Sequence, residues 1–218
     1  MVTFSEENYL KAIYHLGNFG TTVVSTNAIA EKMETKASSV TDMIKKLDDK
    51  KLVHYKKYQG VVLTEKGKNT AVTVIRKHRL WEVFLVDKLQ FTWDEVHDVA
   101  EQLEHIQSEK LTNRLDAFLN FPTHDPHGDP IPDKEGNISK TDKIMLSKVN
   151  AGSTCVCVGV KDSSVEFLQY LDKNNIALGT SFKVLAKEAF DASMTIELHK
   201  QTLTISKDVT TNMYVKTL

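Results

Sequence analysis

Apolar residues recur three or four positions apart through most of residues 5–119 and on alternate positions through much of residues 154–215, so helices are expected first and strands afterwards. Leu10, Ile13, Tyr14 and Leu16 predict a helix over 5–16, with Ser5 as its N-cap and Gly17 and Gly20 marking its end. Ser25 then caps a short helix carrying Ile29, Ala30 and Met33. A turn at 34–36 leads into a third helix over 37–50, in which Val40, Met43, Ile44 and Leu47 form a buried stripe. LVHYKKYQGVVL at 52–63 alternates as a β-hairpin, with Gly60 supplying the backbone freedom of a tight turn. Thr64 caps a long helix reaching about Leu89, and further helices are predicted over 94–106 and 108–119. Strands follow at 154–160, 181–185, 194–198, 203–205 and 213–215, interrupted by a helix over 164–172.

All four prolines fall within FPTHDPHGDPIP, and the polar DKEGNISKTDK follows it, so a linker is expected there. The predicted organisation is a DNA-binding domain at 1–73, a helical domain at 74–121, a Pro-rich loop and linker at 122–145 and a β domain at 146–218. The fold class is mainly α with a small β domain: a winged helix-turn-helix, a helical part and a β-barrel.

A content of 41% hydrophobic and 26% charged residues is that of a soluble globular protein. No run approaches a membrane span, and Glu6 and Glu7 near the start do not suit a signal peptide, so a cytoplasmic location is expected. Cys155 and Cys157 lie in an apolar run and read as buried, reduced thiols rather than a zinc site or a disulfide. The net charge of −1 hides an asymmetry: residues 1–80 carry 14 basic and 8 acidic side chains, and the remainder is acidic in balance. A polyanionic partner is therefore expected for the front of the chain.

Ser38, Thr41, Asp42 and Lys45 point away from the buried stripe of the third helix, and Lys56, Lys57 and Tyr58 lie near the hairpin turn. Short polar groups and lysines on the second helix of a helix-turn-helix, followed by a basic wing, suit double-stranded DNA. With Lys36 and Ser39 beside them, these residues form the candidate DNA-reading set.

Candidate metal chemistry centres on HDVAEQLEH. At about 100° per helical residue, His97, Glu101, Glu104 and His105 share one face, opposite Val96, Val99, Leu103 and Ile106. Imidazoles and carboxylates without a thiol suit a divalent ion that accepts nitrogen and oxygen ligands; the same pattern also describes a solvated charged face. His78 and Glu82 stand one turn apart on the long helix. His124, Asp125, His127 and Asp129 in the Pro-rich loop are either ligands or an ordinary polar loop. No HExxH helix, nucleophile elbow or phosphate-binding glycine loop is present, so a metalloenzyme is the disfavoured alternative and no catalytic residue is assigned.

ENYLKAIY at 7–14, SSVTDMIKKL at 38–47, RKHRLWEVFL at 76–85, VHDVAEQLEH at 96–105 and DPHGDPIP at 125–132 together resemble the diphtheria-toxin-repressor family of metal-dependent transcriptional regulators, in its three-domain manganese- or iron-responsive form. The resemblance covers nearly the whole chain. It implies an SH3-like terminal barrel, a helical dimerisation domain, a homodimer on a palindromic operator, and a primary metal site at Asn8, Glu101, Glu104 and His105. It further implies an ancillary site at His78, Glu82 and His97, for which Asp125, His127, Asp162 and Glu166 are the candidate completing ligands.

Three positions depart from family patterns. Manganese-responsive members usually carry aspartate where this chain has Asn8, and short two-domain members carry glutamate where it has Lys11. Glu101 stands where iron-responsive members place a cysteine, and a hard carboxylate in place of a thiolate favours Mn²⁺, with Fe²⁺ second. The expected function is a Mn²⁺-activated repressor of metal-uptake genes.

Overall fold

The computed structural model describes residues 2–139 and 142–218. They fall into two compact units, each discontinuous in sequence. The first comprises Met1–His78, Glu101–Asn113 and Pro132–Asn137; the second comprises Arg79–Ala100, Arg114–Ile131 and Ile138–Leu218.

In the first unit, helices α1 (Phe4–Leu16), α2 (Thr26–Lys32) and α3 (Ala37–Asp49) precede a hairpin of β1 (Val53–Lys56) and β2 (Gly60–Leu63). α1 packs on α2 and β2, α2 on α3, and α3 on β1. Leu10, Ile13, Ile29, Val40, Ile44, Leu47 and Leu52 are fully or almost fully buried, as the helical stripes require. This is a winged helix-turn-helix, and β2 is anchored by a bridge between Val24 and Val61. Gly60 makes that approach possible: its φ is +102°, and a Cβ there would meet the Val24 carbonyl oxygen at 2.5 Å.

Two helix ends differ from expectation. α1 starts earlier because Thr3 is its N-cap: the hydroxyl accepts the Glu6 N–H while the Glu6 carboxylate accepts the Thr3 N–H. Ser5 has no Glu or Gln three residues on to complete such a reciprocal pair. α5 spans only Val96–Leu103, so Glu104 and His105 lie in the turn after it, where the Ile106 N–H donates to the Leu103 carbonyl. Thr64 does open the long helix α4 (Glu65–Leu89), its hydroxyl accepting the Gly67 N–H.

In the second unit, Leu80 and Val83 of α4 pack with Leu115 of α6 (Glu109–Phe118), Leu119 and Ile131, while Leu85 packs with Val96 and Ala100 of α5. The C-terminal part is one antiparallel sheet of six strands in the order β3-β8-β4-β5-β6-β7, where β3 is Ile144–Met145, β4 Thr154–Val160, β5 Ser181–Lys187, β6 Met194–Leu198, β7 Gln201–Ile205 and β8 Met213–Thr217. Register shifts in the β4–β8 and β5–β6 pairs bend this SH3-like sheet around a core that includes Leu146, Cys155, Cys157, Phe182, Met194 and Val215. Both cysteines are buried and unbridged, and burial pushes the Cys157 thiol up to about 11. α7 (Val165–Lys173) follows β4, and α8 (Lys207–Thr210) precedes β8; α8 and β3 were not legible in the alternation. No helix among the described residues is long and apolar enough to cross a membrane.

Candidate metal centres and DNA-binding face

On α1, Glu7 and Asn8 each precede Lys11 by about one turn, at i+4 and i+3 spacing. Glu7 is buried. Its carboxylate lies 2.6 Å from Nδ1 of His105 and accepts the Gln107 amide N–H at 2.6 Å, while the His105 ring stacks on Phe4 at 4.8 Å. The Lys11 ammonium donates to both oxygens of Glu104, at 2.7 and 2.9 Å, and to Oε1 of Glu101 at 3.0 Å. Glu104 is wholly buried and also lies 2.6 Å from Nδ1 of His78. Burial alone would raise its pKa, but His78 and Lys11 outweigh burial and hold the carboxyl below the usual range. His105 Nε2 is 3.7 Å from Glu104 Oε1.

Lys11 thus joins Glu101 to Glu104, and His105 and His78 each approach Glu104. Asn8 lies on the same helix as Lys11, and its Oδ1 is buried with no hydrogen-bond partner among the described residues. A buried acceptor without a donor fits a cation, as do the two carboxylates, so the residues present suit a hard divalent ion. Lys11 is the departure: a positive charge already bridges Glu101 and Glu104. Glu7 and Gln107 carry no sequence signal: an acid in a helix's first turn reads as solvated, and a lone glutamine between two helices reads as an ordinary loop residue.

A second group lies in the second unit. Ligand atoms of Glu82, Asp125 and His127 all lie within 4.8 Å of one another, and all three residues are buried. Glu82 Oε1 is 3.6 Å from Nδ1 of His127 and 3.6 Å from Nδ1 of His97. The Pro-rich loop presents Asp125 and His127 by a tight turn in which Asp125 Oδ1 accepts the N–H groups of His127 and Asp129, each at 2.9 Å. Gly128 closes that turn at φ +82°, where a Cβ would meet the Val158 carbonyl oxygen at 2.2 Å. The other Asp125 oxygen is 3.4 Å from Nε of Arg79, a partner not identified from sequence although it directly follows His78.

His127 Nε2 lies 2.8 Å from the Trp93 carbonyl oxygen. A carbonyl only accepts, so Nε2 carries the proton, and in the neutral ring the Nδ1 lone pair is directed to the metal-ligand side. Burial would lower the His127 pKa, but Glu82, Asp125 and the Trp93 carbonyl outweigh it and raise the imidazole above its ordinary value. Burial and the nearby Glu82 and Asp129 carboxylates push Asp125 up to about 6. Both shifts share one contributor, the buried Glu82 carboxylate, with burial itself the larger cause for Asp125. This donor set therefore also fits a divalent cation. Asp162 is half-buried, its Oδ1 accepting the Ser164 N–H ahead of α7, and Glu166 is exposed in the first turn of α7; neither belongs to the converging group among the described residues. His124 is half-buried, with Nδ1 3.0 Å from the Thr123 hydroxyl.

On the winged helix, Lys36, Ser38, Ser39, Asp42 and Lys45 are exposed at the start and outer face of α3, with Thr41 half-buried and its hydroxyl donating to the Ala37 carbonyl. In the wing, Lys56, Lys57 and Tyr58 are exposed; Tyr58 is 92% exposed, and Lys57 Nζ stands 4.9 Å from its ring centre.

A winged helix-turn-helix joined to buried carboxylate and imidazole clusters defines the class: a DNA-binding regulator with metal-ligand chemistry. Residues 1–61 match the iron-dependent repressor N-terminal DNA-binding domain, residues 64–133 the iron-dependent repressor metal-binding and dimerisation domain, and residues 144–217 the FeoA domain. The chain belongs to the iron-dependent repressor family, which includes the diphtheria toxin repressors and is a family of metal-dependent transcriptional repressors rather than of enzymes. It is 35% identical over 159 residues to the iron-dependent repressor IdeR of Mycobacterium tuberculosis, covering 70% of this chain and 69% of that one. It is 33% identical over 126 residues to the diphtheria toxin repressor of Corynebacterium diphtheriae, covering 58% and 55%. Among solved structures, it is similar to a manganese-dependent transcriptional repressor in complex with manganese, at a TM-score of 0.86 and 35% identity over 98% of this chain and all of the other. It is also similar to the manganese regulator SloR, at a TM-score of 0.77 and 36% identity over 98% of both chains.

Proposed function

We propose that this chain is a Mn²⁺-activated repressor of metal-uptake genes, acting in the cytoplasm as a homodimer on a palindromic operator. The observation that carries the choice of metal is the donor chemistry: carboxylates, imidazoles and one amide oxygen, with both cysteines sequestered in β4 of the sheet domain. Hard oxygen and borderline nitrogen donors without thiolate suit manganese. Ferrous iron is the second reading, favoured by the likeness to proteins named iron-dependent repressors.

Asn8, Glu101, Glu104 and His105 would hold one ion, and Glu82, Asp125 and His127 a second, with His78 and His97 beside them and Asp162 and Glu166 as outer candidates. A bound ion supplies the positive charge that these buried carboxylates otherwise draw from Lys11, Arg79 or a protonated imidazole. At the first site the protein contributes orientation. α1 belongs to the winged helix, whereas Glu101, Glu104 and His105 belong to the segment ending α5, so ligands drawn from both fix the winged helix against that segment. Fixing it removes freedom that operator binding must otherwise order. By linkage, DNA and metal tighten each other equally.

Ser38, Ser39, Thr41, Asp42 and Lys45 would face base edges, and Lys36, Lys56, Lys57 and Tyr58 the phosphate backbone. Leu89, Phe118 and Phe121 are more than half exposed and offer an apolar face to a second copy.

The test is operator affinity measured across Mn²⁺, Fe²⁺, Co²⁺ and Zn²⁺. Affinity equal with and without metal sinks the reading, as does an intact metal response after Glu104→Ala combined with His105→Ala.

A further inference from the structure

We propose that Lys11 is an internal competitor of the divalent metal at the Glu101–Glu104 cluster: its ammonium occupies the cation position between the two carboxylates and must leave when a metal binds, which raises the metal concentration that this site requires. The inference rests on the metal-responsive reading of that cluster and goes beyond it, because Lys11 is not a ligand.

The geometry is specific. The ammonium makes three contacts of 2.7 to 3.0 Å to two carboxylates contributed from a segment some ninety positions away in the chain. One of those carboxylates, Glu104, is fully buried, so its charge requires compensation from within the protein. Lys11 provides it. The Lys11 side chain is 15% exposed and the Glu101 side chain 45%, so the cluster opens to water on the Glu101 side. A lysine stem has four rotatable bonds, and its strongly hydrated ammonium can swing out by that route without unfolding α1.

A metal and the ammonium cannot share the cluster. Both seek the same Glu104 oxygens, and a protonated lysine has no lone pair to offer a cation. At the contact distance a divalent ion and an ammonium repel strongly in a partly buried site. Asn8 sharpens the competition. Its amide oxygen is buried and has no hydrogen-bond donor among the described residues, so the ammonium satisfies the two carboxylates but leaves this third acceptor unmet. A metal could satisfy all three. Lys11 is therefore a partial substitute: it stabilises the metal-free arrangement and yields to an ion that also engages Asn8 and His105. Because Lys11, like Asn8, lies on α1, it also docks α1 against the Glu101–His105 segment before any metal arrives. Glu7 adds to that docking through His105 and Gln107.

The experiment is a Mn²⁺ titration by calorimetry on the full chain carrying Glu82→Ala and His127→Ala, which removes the carboxylate that His97, Asp125 and His127 all converge on, with Lys11 as the residue compared. Lys11→Gln removes the competing charge and is expected to tighten Mn²⁺ binding by at least about tenfold. Lys11→Arg keeps the charge and is expected to stay within about threefold of the parent, which a merely structural role for the lysine would not require. A parallel measurement needs no second-site substitutions. In chelator, Lys11→Gln should melt below wild type, because two carboxylates lose their counter-charge; with saturating Mn²⁺ the difference should vanish or reverse. Mn²⁺ uptake at this site with unchanged or weaker affinity in Lys11→Gln overturns the competition and leaves the metal reading intact. Uptake by neither parent nor variant overturns both.

Discussion

His127 Nδ1 and Glu82 Oε1 face each other at 3.6 Å, with the far nitrogen of the imidazole fixed by the Trp93 carbonyl. In the neutral ring two electron-rich atoms are opposed in a buried site beside Asp125, an arrangement that a cation between them stabilises. Glu82→Gln keeps the shape and removes one negative charge. It is expected to weaken Mn²⁺ binding at this site by about 10- to 100-fold, while the α1 cluster keeps its own uptake. Equilibrium dialysis with metal analysis reads this as the loss of about one equivalent; full uptake at unchanged affinity in Glu82→Gln would dismiss the site.

The wing supplies a separate prediction. Lys56 and Lys57 are exposed beside Tyr58 and would contact phosphates rather than base edges. Lys56→Ala and Lys57→Ala should each weaken binding to operator and non-operator duplexes to a similar degree. Each should also reduce the slope of log affinity against log salt by about 1. A loss confined to the operator would assign these lysines to base reading instead.

Periodicity carried the fold well because most elements have one buried face. Val40, Ile44 and Leu47 define α3, and the alternation through Cys155, Cys157 and Gly159 marks β4. It failed where a polar or tertiary interaction decides. α5 ends at Leu103, so the helical-face argument that grouped His97 with Glu104 and His105 does not describe the structure: His97 turns to Glu82, while Glu104 meets Lys11 and His78. Glu7 and Lys11 carry no mark in the pattern, since an acid and a lysine one turn apart describe any solvated helix. Only the fold, by bringing residues 101–107 against α1, makes them part of a site.

Gly60 is held by two constraints together, a φ of +102° and contact with the Val23–Val24 segment. Gly60→Ala therefore strains the backbone and forces the bridge between Val24 and Val61 to open. Destabilisation of about 1–3 kcal/mol is expected, read from the denaturation midpoint. Operator affinity should fall with it, because the same bridge positions the wing. A midpoint unchanged within error would show that the wing tolerates displacement at this point.

The pair between Lys50 and Glu6 links the end of α3 to the start of α1, with Nζ 2.7 and 2.8 Å from the two carboxylate oxygens. Burial alone would raise the Glu6 pKa, but Lys50 and the Thr3 cap outweigh it and hold the carboxyl below its ordinary value. A carboxyl depressed in the folded state contributes stability that is present above its unfolded pKa, near 4.5, and is lost as pH falls through the lower folded value. Lys50→Met should therefore lower the melting temperature at pH 6–7 by a few degrees, corresponding to roughly 0.5–1 kcal/mol for a half-exposed partner. The gap between variant and wild type should narrow as the pH falls below 4.5 and through the lower folded value, where Glu6 takes up its proton and the ion pair is lost. Melting curves in chelator over that range separate this ion pair from the metal clusters, and a gap that stays constant with pH would mean that Lys50 contributes through packing of its stem rather than through charge.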